Sequence, residues 1–72
     1  MEKDIDLSLV GSEVRIISAI HAWGGKIGRI IGAEDWGRAY GHVFLIEIFV
    51  NGRPLVCRAL RYEIEIMKES PD

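Results

Sequence analysis

His42-Val43-Phe44-Leu45-Ile46-Glu47-Ile48-Phe49-Val50-Asn51-Gly52 is the stretch on which the fold turns. Phe44, Ile46, Ile48 and Val50 recur at every second position, the period of a β-strand. The opposite face, with Leu45, Glu47 and Phe49, is largely apolar too. A strand apolar on both faces is covered on both sides, here by another segment of the chain or by another molecule. Asn51-Gly52 follows at once. Both residues tolerate positive φ, so the pair predicts a tight type I′ hairpin turn.

The pattern extends in both directions. After the turn, Pro54 marks the start of an edge strand, and residues 55–58 read as the strand itself. Ala59-Leu60-Arg61-Tyr62 reads as a short helical turn. Glu63-Ile64-Glu65-Ile66 alternates cleanly and gives a last strand. Towards the N-terminus, residues 32–41 carry three glycines and read as a long hairpin loop. Residues 26–31 form a strand interrupted by Gly28, which predicts a bulge or a close backbone approach. Residues 20–25, with His21, Trp23 and two glycines, read as a loop. Glu13-Val14-Arg15-Ile16-Ile17 reads as the first strand. Residues 1–10 are an N-terminal arm, and residues 68–72 a tail. Five short strands at close spacing predict an all-β fold, a small antiparallel barrel closed or nearly closed. Isoleucine, valine and glycine dominate, and no long stretch has a 3.6-residue period, which excludes a helical fold.

The chain has 72 residues, which is one small domain. Hydrophobic residues make up 49% and charged residues 28%, a balance that excludes a disordered tail. Apolar runs such as residues 43–46 are far shorter than the roughly 20 residues of a membrane helix. Met1-Glu2-Lys3-Asp4-Ile5-Asp6 alternates in charge and lacks an apolar signal region, so the expected location is cytoplasmic. Cys57 is the single cysteine. It offers neither an internal disulfide nor a zinc quartet. The fold must therefore rest on tight packing or on a partner.

The net charge of −2 hides a segregation. In residues 1–13, Glu2, Asp4, Asp6 and Glu13 outweigh Lys3. In residues 62–72, Glu63, Glu65, Glu69 and Asp72 outweigh Lys68. Between them, Arg15, Lys26, Arg29, Arg38, Arg53, Arg58 and Arg61 outweigh Glu34, Asp35 and Glu47. A basic middle between acidic ends suits an acidic protein partner or a phosphate backbone.

Reactive constellations are absent from the sequence pattern. Gly24-Gly25-Lys26-Ile27-Gly28 lacks the spacing of a phosphate-binding loop and opens no helix. His21, His42 and Cys57 show no metal-ligand spacing, and read as two rim histidines and a buried strand cysteine. Glu34 and Asp35 are adjacent in a predicted loop and do not converge by themselves. No catalytic residue, metal or cofactor is therefore expected. Trp23, Trp36 and Tyr40 stand out because they fall in glycine-rich loops. With Arg29 and Arg38 nearby they match the composition of interface hot spots, and they would also suit base stacking. Trp23 has a second reading, as a plug for the end of the core. Arg53, Arg58 and Arg61 flank the last hairpin, as a basic rim or as edge protection. Arg58 and Cys57 are neighbours on one strand, so an outward Arg58 places Cys57 inward.

Gly11-Ser12-Glu13-Val14-Arg15-Ile16, then Trp23, then Gly25-x-x-Gly28-x-Ile30, resembles the SH3-like barrels. The opening is similar to that of the SH3-like barrel family found in photosystem I, and Glu63-Ile64-Glu65-Ile66 is similar to that family's closing strand. Gly25-x-x-Gly28-x-Ile30 also resembles the KOW motif, with His21 where that pattern has glycine. The resemblance spans residues 11–67, though residues 32–53 carry none of its motifs. It implies a non-enzymatic docking module or an accessory component of a larger complex, engaging a protein partner or a second copy of itself. The alternative it implies is a KOW-like module binding RNA or DNA through Arg15, Lys26, Arg29, Arg38 and the aromatics. The expected partner-binding residues are Trp23, Arg29, Trp36, Arg38, Tyr40, Arg53 and Arg58.

Overall fold

A computed structural model describes residues 7–68. Residues 1–6 of the expected arm and 69–72 of the expected tail lie outside the described residues. The strands are β1 (Glu13–Ile16), β2 (Ile27–Asp35), β3 (His42–Val50), β4 (Arg53–Leu60) and β5 (Ile64–Lys68). A 3₁₀ turn, Arg61–Glu63, separates the last two. All pairings are antiparallel, and the strands form one sheet in the order β4-β3-β2-β1-β5.

β3 has the bounds that its alternation predicts, and the hairpin after it closes on Asn51 at φ 53° and Gly52 at φ 79°. These positive values are what the turn requires of both residues. β2 is longer than its sequence implies. Gly32, Glu34 and Asp35 are poor strand formers, yet they pair with Leu45, Val43 and His42. Pairing with a strong strand overrides their local preference. The expected long loop of residues 32–41 therefore shrinks to residues 36–41. β4 likewise begins at Arg53 and runs to Leu60, absorbing Ala59 and Leu60 from the expected helical turn.

β2 is the shared element. Its first residues pair with β1, from Arg15↔Ile27 to Glu13↔Arg29, and from Arg29 onward it pairs with β3. Ile31 is an extra residue between the pairs Ile30↔Ile46 and Gly32↔Leu45. The bulge thus falls at Ile31. Gly28 serves the other purpose its position implies, close approach. A Cβ there would lie 2.5 Å from the Glu47 carbonyl oxygen and under 3 Å from the Ile46 and Ile48 side chains.

The core is gathered on one face of the bent sheet. Val14 and Ile16 of β1, Ile30 of β2, Phe44, Ile46 and Ile48 of β3, Cys57 and Ala59 of β4, and Ile64 of β5 form it. Leu9, Val10, Trp23, Leu55 and Ile66 pack against it. Cys57 is buried and Arg58 exposed, as alternation on β4 demands. Burial pushes the Cys57 thiol pKa up.

Closure of the barrel is corrected by the structure. β4 and β5 are the two edges of the sheet, with no ladder between them. The edge groups find other partners instead. The imidazole of His21 accepts the Trp23 N–H at Nδ1 (3.0 Å), so its Nε2 carries the proton and donates to the Arg58 carbonyl at 2.7 Å. The Leu60 N–H donates to Glu63 Oε1 at 2.8 Å. The Ile64 N–H donates to the Arg61 carbonyl, and the Arg61 guanidinium donates back to the Ile64 carbonyl. The 3₁₀ turn and one loop histidine thus satisfy groups that a closing strand would otherwise take.

Candidate functional site

The shortened β2–β3 loop is where exposed aromatic surface is held in place. The Trp36 N–H donates to the Gly41 carbonyl at 2.9 Å, and the Gly41 N–H donates to the Gly37 carbonyl. The Gly37 N–H donates to Asp35 Oδ1 at 2.9 Å. Gly37 and Gly41 both have positive φ, which lets a six-residue loop turn this tightly. Trp36 and Tyr40 meet edge to face, with ring centroids 6.2 Å apart. They remain 50% and 60% exposed.

Glu34 ties this loop to β4. Its Oε1 accepts from Trp36 Nε1 and from Arg58 Nε, each at 3.0 Å. The same carboxylate therefore fixes the indole plane and forms an ion pair with Arg58. The Arg58 hydrogen bond, aided by that of Trp36, holds the Glu34 pKa below the usual carboxylate range. The sign of the linkage follows. A depressed folded pKa gives stabilisation that is present above the unfolded value and lost as pH falls through the folded one. The Trp36 indole N–H resonance is therefore expected to shift on acidification below the ordinary glutamate range. Glu34→Gln should remove that step, which NMR titration of the indole signal checks.

Beside the loop lies an open cleft of about 240 Å³, lined by Trp36, Tyr40, Val43, Arg58, Ala59, Leu60 and Glu63. Val43 and Leu60 are cross-strand partners and give it an apolar floor. Trp36 and Tyr40 form one wall, with the charged Arg58 and Glu63 also in the lining. Such a surface can bury an apolar side chain and orient a polar neighbour against a charge.

The sequence-derived candidates divide accordingly. Trp36, Tyr40 and Arg58 converge on the cleft. Arg38 sits exposed in the same loop but does not line it. Trp23 is partly buried and packs against the core. Arg29 lies on the outer face of β2 and donates to the Gly11 carbonyl at 2.9 Å. Arg53 is at the far end of the β3–β4 hairpin. Val43, Leu60 and Glu63 are new members. The apolar second face of residues 43–49 carries the signal for Val43. The position of Glu63 three residues after Leu60 carries the signal for the backbone bond it makes.

Among the described residues, no three His, Cys, Asp or Glu side chains gather as a metal site. No described helix is long and apolar enough to cross a membrane. Compared with family models, curated proteins and solved structures, the chain matches none.

Proposed function

We propose that this chain is an SH3-like docking module, non-enzymatic, that holds a protein partner in the cleft between the β2–β3 loop and the end of β4. The observation that carries this reading is the pre-ordered aromatic pair. Trp36 and Tyr40 are at least half exposed, yet four hydrogen bonds in and around their loop and a ring contact hold them in place. Ordering large side chains before binding removes an entropic cost that binding would otherwise carry. Tryptophan, tyrosine and arginine around an apolar floor is also the composition of an interface hot spot. The strand order, the shared and bulged β2, and the 3₁₀ turn before β5 support the SH3-like part.

The nucleic-acid alternative draws on the same aromatics and on the basic middle. Several of those cations have partners within the chain. Arg15 pairs with Glu65, Arg58 with Glu34, and Arg29 and Arg61 bond backbone carbonyls. Phosphate contacts would have to compete with these bonds.

The test is retention of a protein on the tagged chain after nuclease treatment, followed by affinity measurement on that complex. Trp36→Ala is expected to weaken binding by about thirtyfold, the effect of losing about 2 kcal/mol at a hot spot. Arg38→Ala should leave the affinity within about threefold. Unchanged affinity with Trp36→Ala would remove the cleft from the interface. Loss of the partner with nuclease would favour the phosphate-binding alternative.

A further inference from the structure

We propose that the outward face of β2 and β3 is a self-association surface. On it, two copies of this chain pack about a two-fold axis that runs along the strands, between β2 and β3. This face adjoins the aromatic cleft, whose floor Val43 lies two residues from Leu45 on the same side of β3, but it uses different residues.

The face exposes more apolar surface than a solvated strand pair needs. Phe49 is 61% exposed, Ile27 47% and Ile31 44%. Phe49 and Ile27 line one concavity of about 210 Å³ together with Glu13, Gly28, Arg29 and Glu47. One register step further along, Arg29 and Glu47 are direct cross-strand partners. Beyond them, Leu45 faces the Ile31–Gly32 bulge. Over residues 27–32 and 45–49 the face thus sets Ile27 beside Phe49, Arg29 opposite Glu47, and Leu45 opposite the bulge.

A two-fold interface must be complementary to itself. An axis between β2 and β3 brings each β2 residue over the β3 residue of the other copy that shares its register. Phe49 then covers Ile27 of the second copy, and Leu45 covers the second copy's bulge. Glu47 meets Arg29 of the second copy, and Arg29 meets its Glu47. Like charges at this register would repel; the opposite charges attract in both directions. The two ion pairs among the described residues, Arg15–Glu65 and Arg58–Glu34, leave the Glu47 carboxylate unpaired. Arg29 uses Nη1 for the Gly11 carbonyl and keeps its remaining N–H groups for a carboxylate.

Size sets the strength. Two nine-residue strands at about 3.3 Å per residue, about 4.8 Å apart, span a face on the order of 300 Å². A standard interface buries about 800 Å² per partner. The dimer is therefore weak, and it forms with rising concentration.

Sedimentation of the full chain over about a hundredfold concentration range tests this. The wild-type chain is expected to pass from monomer to dimer. Phe49→Asp, at an exposed position, should keep it monomeric with an unchanged circular dichroism spectrum. Glu47→Arg and Arg29→Glu should each raise the dissociation constant by about tenfold or more, because each sets like charges face to face. An equimolar mixture of these two variants should dimerise again, since each supplies the charge the other lacks. A wild-type chain that stays monomeric throughout would overturn the proposal. So would a dimer indifferent to Phe49→Asp, or folded charge variants whose mixture fails to associate.

Discussion

Gly28→Ala is expected to cost about 3 kcal/mol or more of folding stability, and Gly28→Val to leave the chain largely unfolded. The reason is a collision with backbone. The added Cβ would sit 2.5 Å from the Glu47 carbonyl oxygen and 2.7 and 2.8 Å from the Ile48 and Ile46 methyl groups. Two of those contacts belong to wholly buried side chains, and the third to the backbone of the central strand. None can swing aside without moving β3. Overpacking a native core typically costs about 1–3 kcal/mol, and a backbone obstacle stands at the upper end or beyond it. A chain of 72 residues has roughly 4–11 kcal/mol in total. Gly32→Ala is the control. Its Cβ would meet the Leu45 side chain at 3.3 Å, a flexible neighbour that can yield. Urea unfolding of the two variants should separate them clearly. Equal midpoints would contradict the close crossing of β2 over β3.

Ile46→Ala is the second large effect, with an expected loss of about 3–4 kcal/mol. Ile46 is wholly buried, and its register neighbours are Ile30 on β2 and Cys57 on β4. Truncation removes three carbons from the middle of a three-strand layer. The rigid neighbours on either side cannot collapse into the space, so the cavity cost adds to the lost burial. Ile46→Val removes one methyl and should cost about 1 kcal/mol. With the small total stability, the alanine variant is expected to show a population of unfolded chain at room temperature. Thermal unfolding followed by circular dichroism measures both. A melting temperature for Ile46→Ala close to that of Ile46→Val would contradict the placement of Ile46 at the centre of the core.

These two residues also show what the sequence makes legible. The alternation of residues 42–50 and the Asn51-Gly52 turn are local signals, and the structure follows both. Gly28 is legible as an anomaly within a strand, but not as to which kind. Whether it marks a bulge or a close crossing depends on β3, which is distant in sequence. The end of β2 is hidden for the same reason. Gly32, Glu34 and Asp35 are loop-like alone and become strand only through partners on β3. The open edges are illegible as well, because His21 bonds a carbonyl 37 residues away.

The candidate site divides along the same line. Trp36 and Tyr40 stand out as aromatics among glycines, a compositional signal. Arg58 falls in a separate group by sequence, on the last hairpin. Its meeting with Glu34 spans 24 residues and depends on β3 lying between β2 and β4. Trp23 and Trp36 look alike as loop tryptophans. Only packing separates the one that leans on the core from the one that leaves half its surface free.

The most direct measurement of the docking claim is amide hydrogen exchange on the chain with and without its captured partner. Binding in the cleft is expected to slow exchange across residues 36–43 and 60–63. Exchange at Asn51-Gly52, at the far end of the hairpin, should not change. Protection centred on that tip or on residues 18–25, with residues 36–43 unaffected, would contradict the assignment of the cleft as the docking site.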